Sequence, residues 1–412
     1  MDVESIVNDG ASFPARGGVR LTVAGGQAAA QAGAWRAGRR LRLTAGLRLP
    51  TRYLDPGVRD ARLGSARRGT ILTGGVKSAS LVELVQEGSA LDEAAASIRR
   101  HTRDAISRQV AWLSPRSAAI VVAILIGDRV GLDDEVERRL QEAGTYHVIA
   151  ISGGNIAILA ASALFVLRVL AVGRRAGSLL VILLLAAYAF LVRGEASVTR
   201  ATLMAVIFLL SRLGDFRGSP ANTLSISAVM ILVAWPQAVF DVGAYLTFGA
   251  TIGILLGARL MPERLSATGQ PPSTPWWRAG YVRVPLGLLM ASVCAELALL
   301  PLSALVFFRV TFAGLFLNFA AIPLMTVVQI AGMLVVPLDL VCQPGAMLAG
   351  RVAHLAAKGL VESASLLDIL PWLSFRLPPP HWLVVAAYYF GWVARVVIPA
   401  GTGWPPLTWL RR

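Results

Sequence analysis

Apolar and polar residues alternate early in the chain and run together later. Between Val19 and Val85, stretches such as Val19-Arg20-Leu21-Thr22-Val23 and Arg40-Leu41-Arg42-Leu43-Thr44 alternate strictly, cut by Gly25-Gly26, Gly33 and Gly74-Gly75. Alternation bounded by glycine predicts the strands of a small antiparallel sheet or barrel. An OB-like barrel fits the spacing, as does another barrel of about five strands. Asp92 to Trp112 reads as a helix, acidic at its start (Asp92, Glu93) and basic later (Arg99, Arg100, Arg103, Arg108), as the helix dipole favours. Ser117–Gly127 is apolar but too short to cross a bilayer, and is expected to be interfacial or re-entrant.

Beyond Tyr146 the apolar residues merge into long uncharged runs. Candidate spans are Tyr146–Val172, Ala176–Val192, Val198–Leu213, Ala221–Phe240, Val242–Leu260, Val284–Phe308 and Phe312–Val341, with His381–Ala400 as a further one. Each approaches the roughly 20 apolar residues that a crossing helix needs. Pro323 and Pro337 predict a break in the longest of them. Met347–Leu367 sets Arg351, His354, Lys358 and Glu362 on one face, the pattern of a helix lying at the interface or covering a bundle edge. The expected fold is an α-helical polytopic membrane bundle of about 7–8 spans with interfacial helices, carrying a small N-terminal OB-like β-barrel domain. The domains are 1–90 (β-rich), 91–145 (linking helices) and 146–412 (membrane helices).

Composition supports this division, because 412 residues at 55% hydrophobic and 15% charged exclude an ordinary soluble protein. Cys294 and Cys342 have neither zinc nor redox spacing and read as buried free thiols. The start, Met1-Asp2-Val3-Glu4-Ser5, lacks a signal peptide, so export of the head is expected to depend on an upstream segment. Basic residues after successive spans alternate three, one, two, none, four, one. By the positive-inside rule this places the β-rich head outside the cytoplasm of an inner membrane. The net charge of +15 is carried in large part by the head, with Arg36, Arg39, Arg40, Arg42 and Arg48 as candidate contacts to a polyanion and Arg52, Arg59, Arg62, Arg67 and Arg68 beside them. Neutral surface composition would produce the same residues.

Ile124 and Gly127-Asp128-Arg129, followed by Gly144-Thr145-Tyr146-His147-Val148-Ile149-Ala150-Ile151-Ser152-Gly153-Gly154-Asn155, resemble the signature of the ComEC family of competence proteins. There a G-D-R element precedes an H-L-L-A-x-S-G-x-H run that opens a transmembrane helix. Arg200-Ala201-Thr202, Phe240-Asp241-Val242-Gly243, Glu296 to Leu302 and Leu317-Asn318-Phe319-Ala320-Ala321-Ile322-Pro323 follow in the family's order. The head is similar to the family's OB-like domain, with Asp55-Pro56-Gly57 in place of its N-P-G. Asn155 stands where the family has a histidine. The chain ends at Arg412 without the family's metallo-β-lactamase-like domain, and His101, His147, His354 and His381 form no H-x-H-x-D-H run. No metal, cofactor or enzymatic step is therefore expected. The resemblance implies a channel passing single-stranded DNA across the membrane in natural transformation. Its implied partners are that DNA, the lipid bilayer, a DNA receptor, a separate nuclease and, since no nucleotide motif is present, a cytoplasmic DNA-translocating ATPase. A secondary transporter for a small solute and a non-channel assembly subunit or degenerate paralogue are the alternatives.

A strand of DNA in a bilayer needs a polar, wet or cationic lining, which singles out His147, Ser152, Gly153, Asn155, Arg200, Glu296 and Asn318. Arg200 is the candidate partner of Glu296, or else snorkels to the headgroups. Ser152 to Asn155 either unwinds the first span or lets helices approach closely. Gly127, Asp128 and Arg129 form a local pair or cap, Asp241 caps the fifth span, and Asn318 and Gln329 bond between helices or line the path. Trp276, Trp277, Trp382 and Trp392 are expected as interfacial anchors.

Overall fold

The structure, a computed structural model, describes residues 1–8, 11–51, 61–67, 69–192, 195–216, 218–260, 276–365 and 371–397. Asp55-Pro56-Gly57, Arg52, Arg59, Arg68, Arg193, Arg217 and Arg264 lie outside the described residues. Packing divides the chain into two units, Met1–Arg100 and His101–Arg412.

In the first unit the alternating stretches are strands. β1 (Asp2–Asn8) pairs antiparallel with β2 (Ala11–Val23), β2 pairs in parallel with β5 (Thr70–Val76), and β4 (Gly46–Arg48) lies on the other edge of β5. β3 (Arg40–Leu43) and β6 (Val82–Gln86) form a separate antiparallel pair. Val19 and Val76 are buried on one face of the larger sheet. The expected barrel is not found: among the described residues the sheet does not close, and one pairing is parallel. A parallel pair needs a crossover, supplied here by the chain between Val23 and Thr70, and strand periodicity carries no sign of it.

The second unit is helical. α1 (Ala90–Ile106), most of which belongs to the first unit, runs on as a π-helical turn, Ser107–Ala111, and is followed by α2 (Pro115–Ile126), α3 (Asp134–Glu142), α4 (Tyr146–Ile149) and α5 (Gly153–Val169). Then come α6 (Arg174–Leu191), α7 (Ala196–Leu213), α8 (Pro220–Ala234), α9 (Val242–Leu260) and α10 (Trp276–Phe307). A short β7–β8 pair (Arg309–Thr311, Ser374–Arg376) flanks α11 (Ala313–Val341) and α12 (Gln343–Ala364), and α13 (Trp382–Val397) is last. α2 shows how sequence sets such boundaries. Ser114 Oγ accepts from Ser117 N (3.3 Å), Pro115 occupies the first turn, and Gly127 ends the helix at φ 74°.

The unit holds two apolar cores. One joins α2, α11 and α12 with Val136, Leu140, Val148 and Ile149; the other joins α5, α6 and α7 with Ile151. α2 is enclosed by protein: Ile120, Val121, Ala123 and Ile124 are fully buried. α12 turns an alanine face (Ala346, Ala353, Ala356, Ala357) onto α11 and α2, and this face is what lets it lie flat against them.

Among the described residues, Arg174–Leu191, Ala196–Leu213, Leu286–Phe307 and Ala313–Val341 are long and apolar enough to cross a membrane, and only 22–39% of their residues are buried. Apolar surface thus faces outward, as lipid contact requires. α5, α8, α9 and α13 are apolar as well; α5 and α8 are shorter than the sequence suggests, whereas α9 has the expected bounds. The first expected span is cut at Ala150–Ser152, and the fourth ends at Trp235 before a 3-10 turn over Pro236–Phe240. α11, by contrast, stays helical through Pro323 and Pro337. Cys294 is buried as expected, whereas Cys342 is exposed.

Candidate functional site

The break between α4 and α5 falls where the chain passes from one core to the other, with Ile149 buried in the first and Ile151 in the second. Polar groups gather there. Ser152 N and Ser152 Oγ both donate to Asn155 Oδ1 at 3.1 Å, fastening the first turn of α5. Ser197 Oγ of α7 donates to Ile151 O (2.8 Å), and Gln329 Nε2 of α11 donates to Asn155 O (2.8 Å). Asn155 and Gln329 are 0% and 1% exposed, yet Asn155 Nδ2 and Gln329 Oε1 have no partner among the described residues. An unused donor and an unused acceptor thus remain in an otherwise apolar interior, where each favours a polar guest. Gly153 and Gly154 at the start of α5 are exposed.

Arg200 lies one turn beyond Ser197. Its Nη1 donates to Asp241 Oδ2 (2.7 Å), while Asp241 Oδ1 accepts from Gly243 N (3.0 Å) at the start of α9. Asp241 is thus both a cap and a counter-ion. Arg200 is not paired with Glu296, nor does it reach the surface as a snorkelling chain would, since its side chain is only 7% exposed.

Ahead of the break, Arg129 Nη1 donates to Tyr146 Oη (3.0 Å) and Nη2 to Glu195 Oε1 (3.3 Å), and Tyr146 Oη donates to Glu137 Oε1 (2.7 Å). Asp128 pairs with Arg103 at 2.5 Å. Gly127, Asp128 and Arg129 therefore end α2 and clamp α3, α4 and the start of α7 around it. His147 is exposed, with Nδ1 3.0 Å from Gly144 O. Asn318 Nδ2 donates to Ser292 Oγ (3.4 Å), and Pro323 lies within α11. Ser152, Gly153 and Asn155 come together at the break, Arg200 is held apart by Asp241, and Asn318 and Glu296 belong to the α10–α11 pair.

Sequence reasoning did not find the polar cluster at the end of α11. Asp339 there accepts from Arg108 Nη2 (2.6 Å) and Gln109 Nε2 (2.8 Å). An acid closing a long apolar run beside Pro337 was the available signal.

In the head, Arg36 and Arg39 are occupied internally. Arg36 Nη1 and Arg39 Nε donate to the Glu93 carboxylate at 2.6 and 2.5 Å, and these bonds, Arg39 first, hold the Glu93 carboxyl down at about 2. Arg40 pairs with Glu4 at 2.5 Å. Arg42 and Arg48 are exposed, with no ion pair among the described residues. Arg20, which the sequence reading passed over, stands with Arg48: Arg20 is opposite Thr73, and Thr73 is opposite Arg48. Cross-strand partners share a face, so these two cations lie about 10 Å apart on the side of the sheet away from Val19. The alternation Val19-Arg20-Leu21 was the signal.

A family model described as Competence protein matches residues 124–401. ComE operon protein 3 of Bacillus subtilis (strain 168) is 28% identical over 230 residues, which are 56% of this chain and 27% of that relative. The chain thus matches about a quarter of the relative's length. No solved structure matches.

Proposed function

Because the chain belongs to the Competence protein family, we propose that its helical unit is the membrane core through which a single strand of DNA passes during natural transformation. The observation that carries this reading is the polar seam of Ser152, Asn155, Ser197 and Gln329, with the Arg200–Asp241 pair on the same helix as Ser197, set against an interrupted helix inside an outwardly apolar bundle. Polar and charged groups at membrane depth are costly unless they face a partner or a hydrated path. Here several keep unused bonding capacity.

In this reading the unit sits in the inner membrane, and the shorter apolar helices complete the seven or eight crossings expected from sequence. The β-rich unit faces outward and offers Arg20, Arg42 and Arg48 to the incoming strand. The chain conducts and does not cut. A receptor, a nuclease and a DNA-translocating ATPase act beside it.

Deleting the gene and separating surface-bound from internalised labelled DNA tests the proposal. Internalisation should be lost while surface binding persists, and normal internalisation would overturn it. Gln329→Leu tests the seam, since the Asn155 carbonyl keeps its own helix bond. Stability should change by only about 1 kcal/mol while internalisation falls. Unimpaired internalisation would remove the seam from the path.

A further inference from the structure

Glu296 stands at the midpoint of Leu286–Phe307, in a helix long and apolar enough to cross a membrane. The packing of α10 sets which way it faces. On one side, Cys294 and Ala298 meet the glycines of α9: a Cβ on Gly253 would lie 2.6 Å from Ala298 Cβ and from Cys294 O. Glu296 lies two residues from each, on the other side of the helix. Ser292, one turn away on that side, accepts from Asn318 Nδ2 of α11, and Asn318 Oδ1 is buried without a partner. Ser292, Glu296 and Asn318 therefore form an oxygen-bearing lane between α10 and α11.

Nothing described neutralises the carboxylate. Val242–Gly257 of α9 and Ala313–Leu338 of α11 contain no charged residue. The titratable groups with described side chains on the packed elements are Tyr245, Cys294, Tyr388, Tyr389, Arg309 and Asp339, of which Arg309 pairs with Glu142 (3.5 Å) and Asp339 with Arg108 (2.6 Å). Tyr245 Oη donates to Val239 O (2.6 Å), and Tyr388 Oη and Tyr389 Oη donate to Leu297 O (2.8 Å) and Ala298 O (3.0 Å). No ion pair or hydrogen bond to Glu296 occurs among the described residues. A lone carboxylate at the centre of a span is unstable unless a cation accompanies it.

We propose that Glu296, with Ser292 and Asn318, is a membrane-embedded site for a small monovalent cation, a proton or an alkali ion. The site stands on helix packing. Only the work its ion would do rests on the DNA-passage reading, where inward ion movement offers a source of energy apart from nucleotide hydrolysis.

The test is carbodiimide modification of the full chain in lipid nanodiscs, with the modified residue located by mass spectrometry. A membrane-soluble carbodiimide attacks a carboxyl that keeps its proton in an apolar setting. Glu296 should react at about pH 7, where a carboxyl of ordinary pKa near 4.3 is ionised, and the rate should fall at least about tenfold by about pH 9. Slowing by sodium or lithium at constant pH would identify an alkali-ion site, and indifference to them a proton site. A Glu296 that stays unmodified at every pH, or reacts at a rate unaffected by both pH and alkali ions, would overturn the proposal. Labelling can succeed even if DNA internalisation proves normal in the deletion strain, so the two readings fail separately.

Discussion

Arg200 and Asp241 share one hydrogen-bonded pair in unlike surroundings: the arginine side chain is 7% exposed and the aspartate 43%. Removing the carboxylate strands a charge that has little access to water. Replacing the guanidinium with an apolar chain leaves a carboxylate that can be hydrated. Asp241→Ala should therefore lower stability by about 1–3 kcal/mol, solvent at Asp241 keeping the loss below the roughly 3–5 kcal/mol of a fully buried pair, and Arg200→Met by less. Thermal melting of both variants in nanodiscs checks the order; equal losses would mean that Arg200 reaches solvent unaided. The cap formed by Asp241 was legible from residue type and position. Its pairing with Arg200, 41 residues away, was not, because position along a helix does not say which neighbour a long side chain meets. Likewise Ser152 and Asn155 announced a local turn, while Gln329, 174 residues away, is found only in the fold.

Helix pairs raise the question of how closely backbones approach. α9 presents Gly249, Gly253 and Gly257 to Leu299, Ala298 and Cys294 of α10, and a single methyl at Gly253 has no room. Gly253→Ala should cost about 1–3 kcal/mol as the helices move apart. Gly391→Ala in α13, where a Cβ meets nothing within 4 Å, should instead gain up to about 1 kcal/mol by reducing chain entropy in the unfolded state. Melting of the two variants decides it; similar losses would show that helix propensity, not close approach, governs both. Length and hydropathy identified most of these helices. What they could not supply was the neighbour: α2 is short enough to suggest an interfacial or re-entrant segment but is enclosed by α11 and α12, and the charged face of α12 left an interfacial helix and a cover for the bundle edge both open, until its buried alanines placed it against α11 and α2. α11 runs through Pro323 because loss of one backbone bond in a long packed helix does not outweigh its burial.

Across the whole molecule, charge and pH act together. The chain carries +15, and its carboxylates are bound to arginines in both units: Glu93 to Arg39 and Arg36, Asp133 to Arg116, Glu135 to Arg139 and Arg138, and Asp215 to Arg175 and Arg174. Each carboxyl lies below its ordinary value because hydrogen bonds from these arginines favour the charged form. A depressed folded-state pKa contributes stability that is fully present above the unfolded value and is lost as pH falls through the folded one. For Glu93 the window runs from 4.5 down to about 2. Hydrogen bonds to Glu93 and Asp339 shift Arg39 and Arg108 further upward, so their contribution is already complete at neutral pH. The stability that these arginine-bound carboxylates contribute should therefore be flat from neutral pH down to the ordinary carboxylate range and decline below it. Each protonation also adds a positive charge to a chain that already repels itself. Glu93→Gln should lower the protection of head amides at neutral pH and weaken their further loss in acid, leaving the acid response of the helical unit in place. Hydrogen exchange of the full chain across that range separates the units. An unchanged acid limb in the head of the variant would mean that other carboxylates hold the β-rich unit, and that Arg36 and Arg39 are available for an outside anion after all.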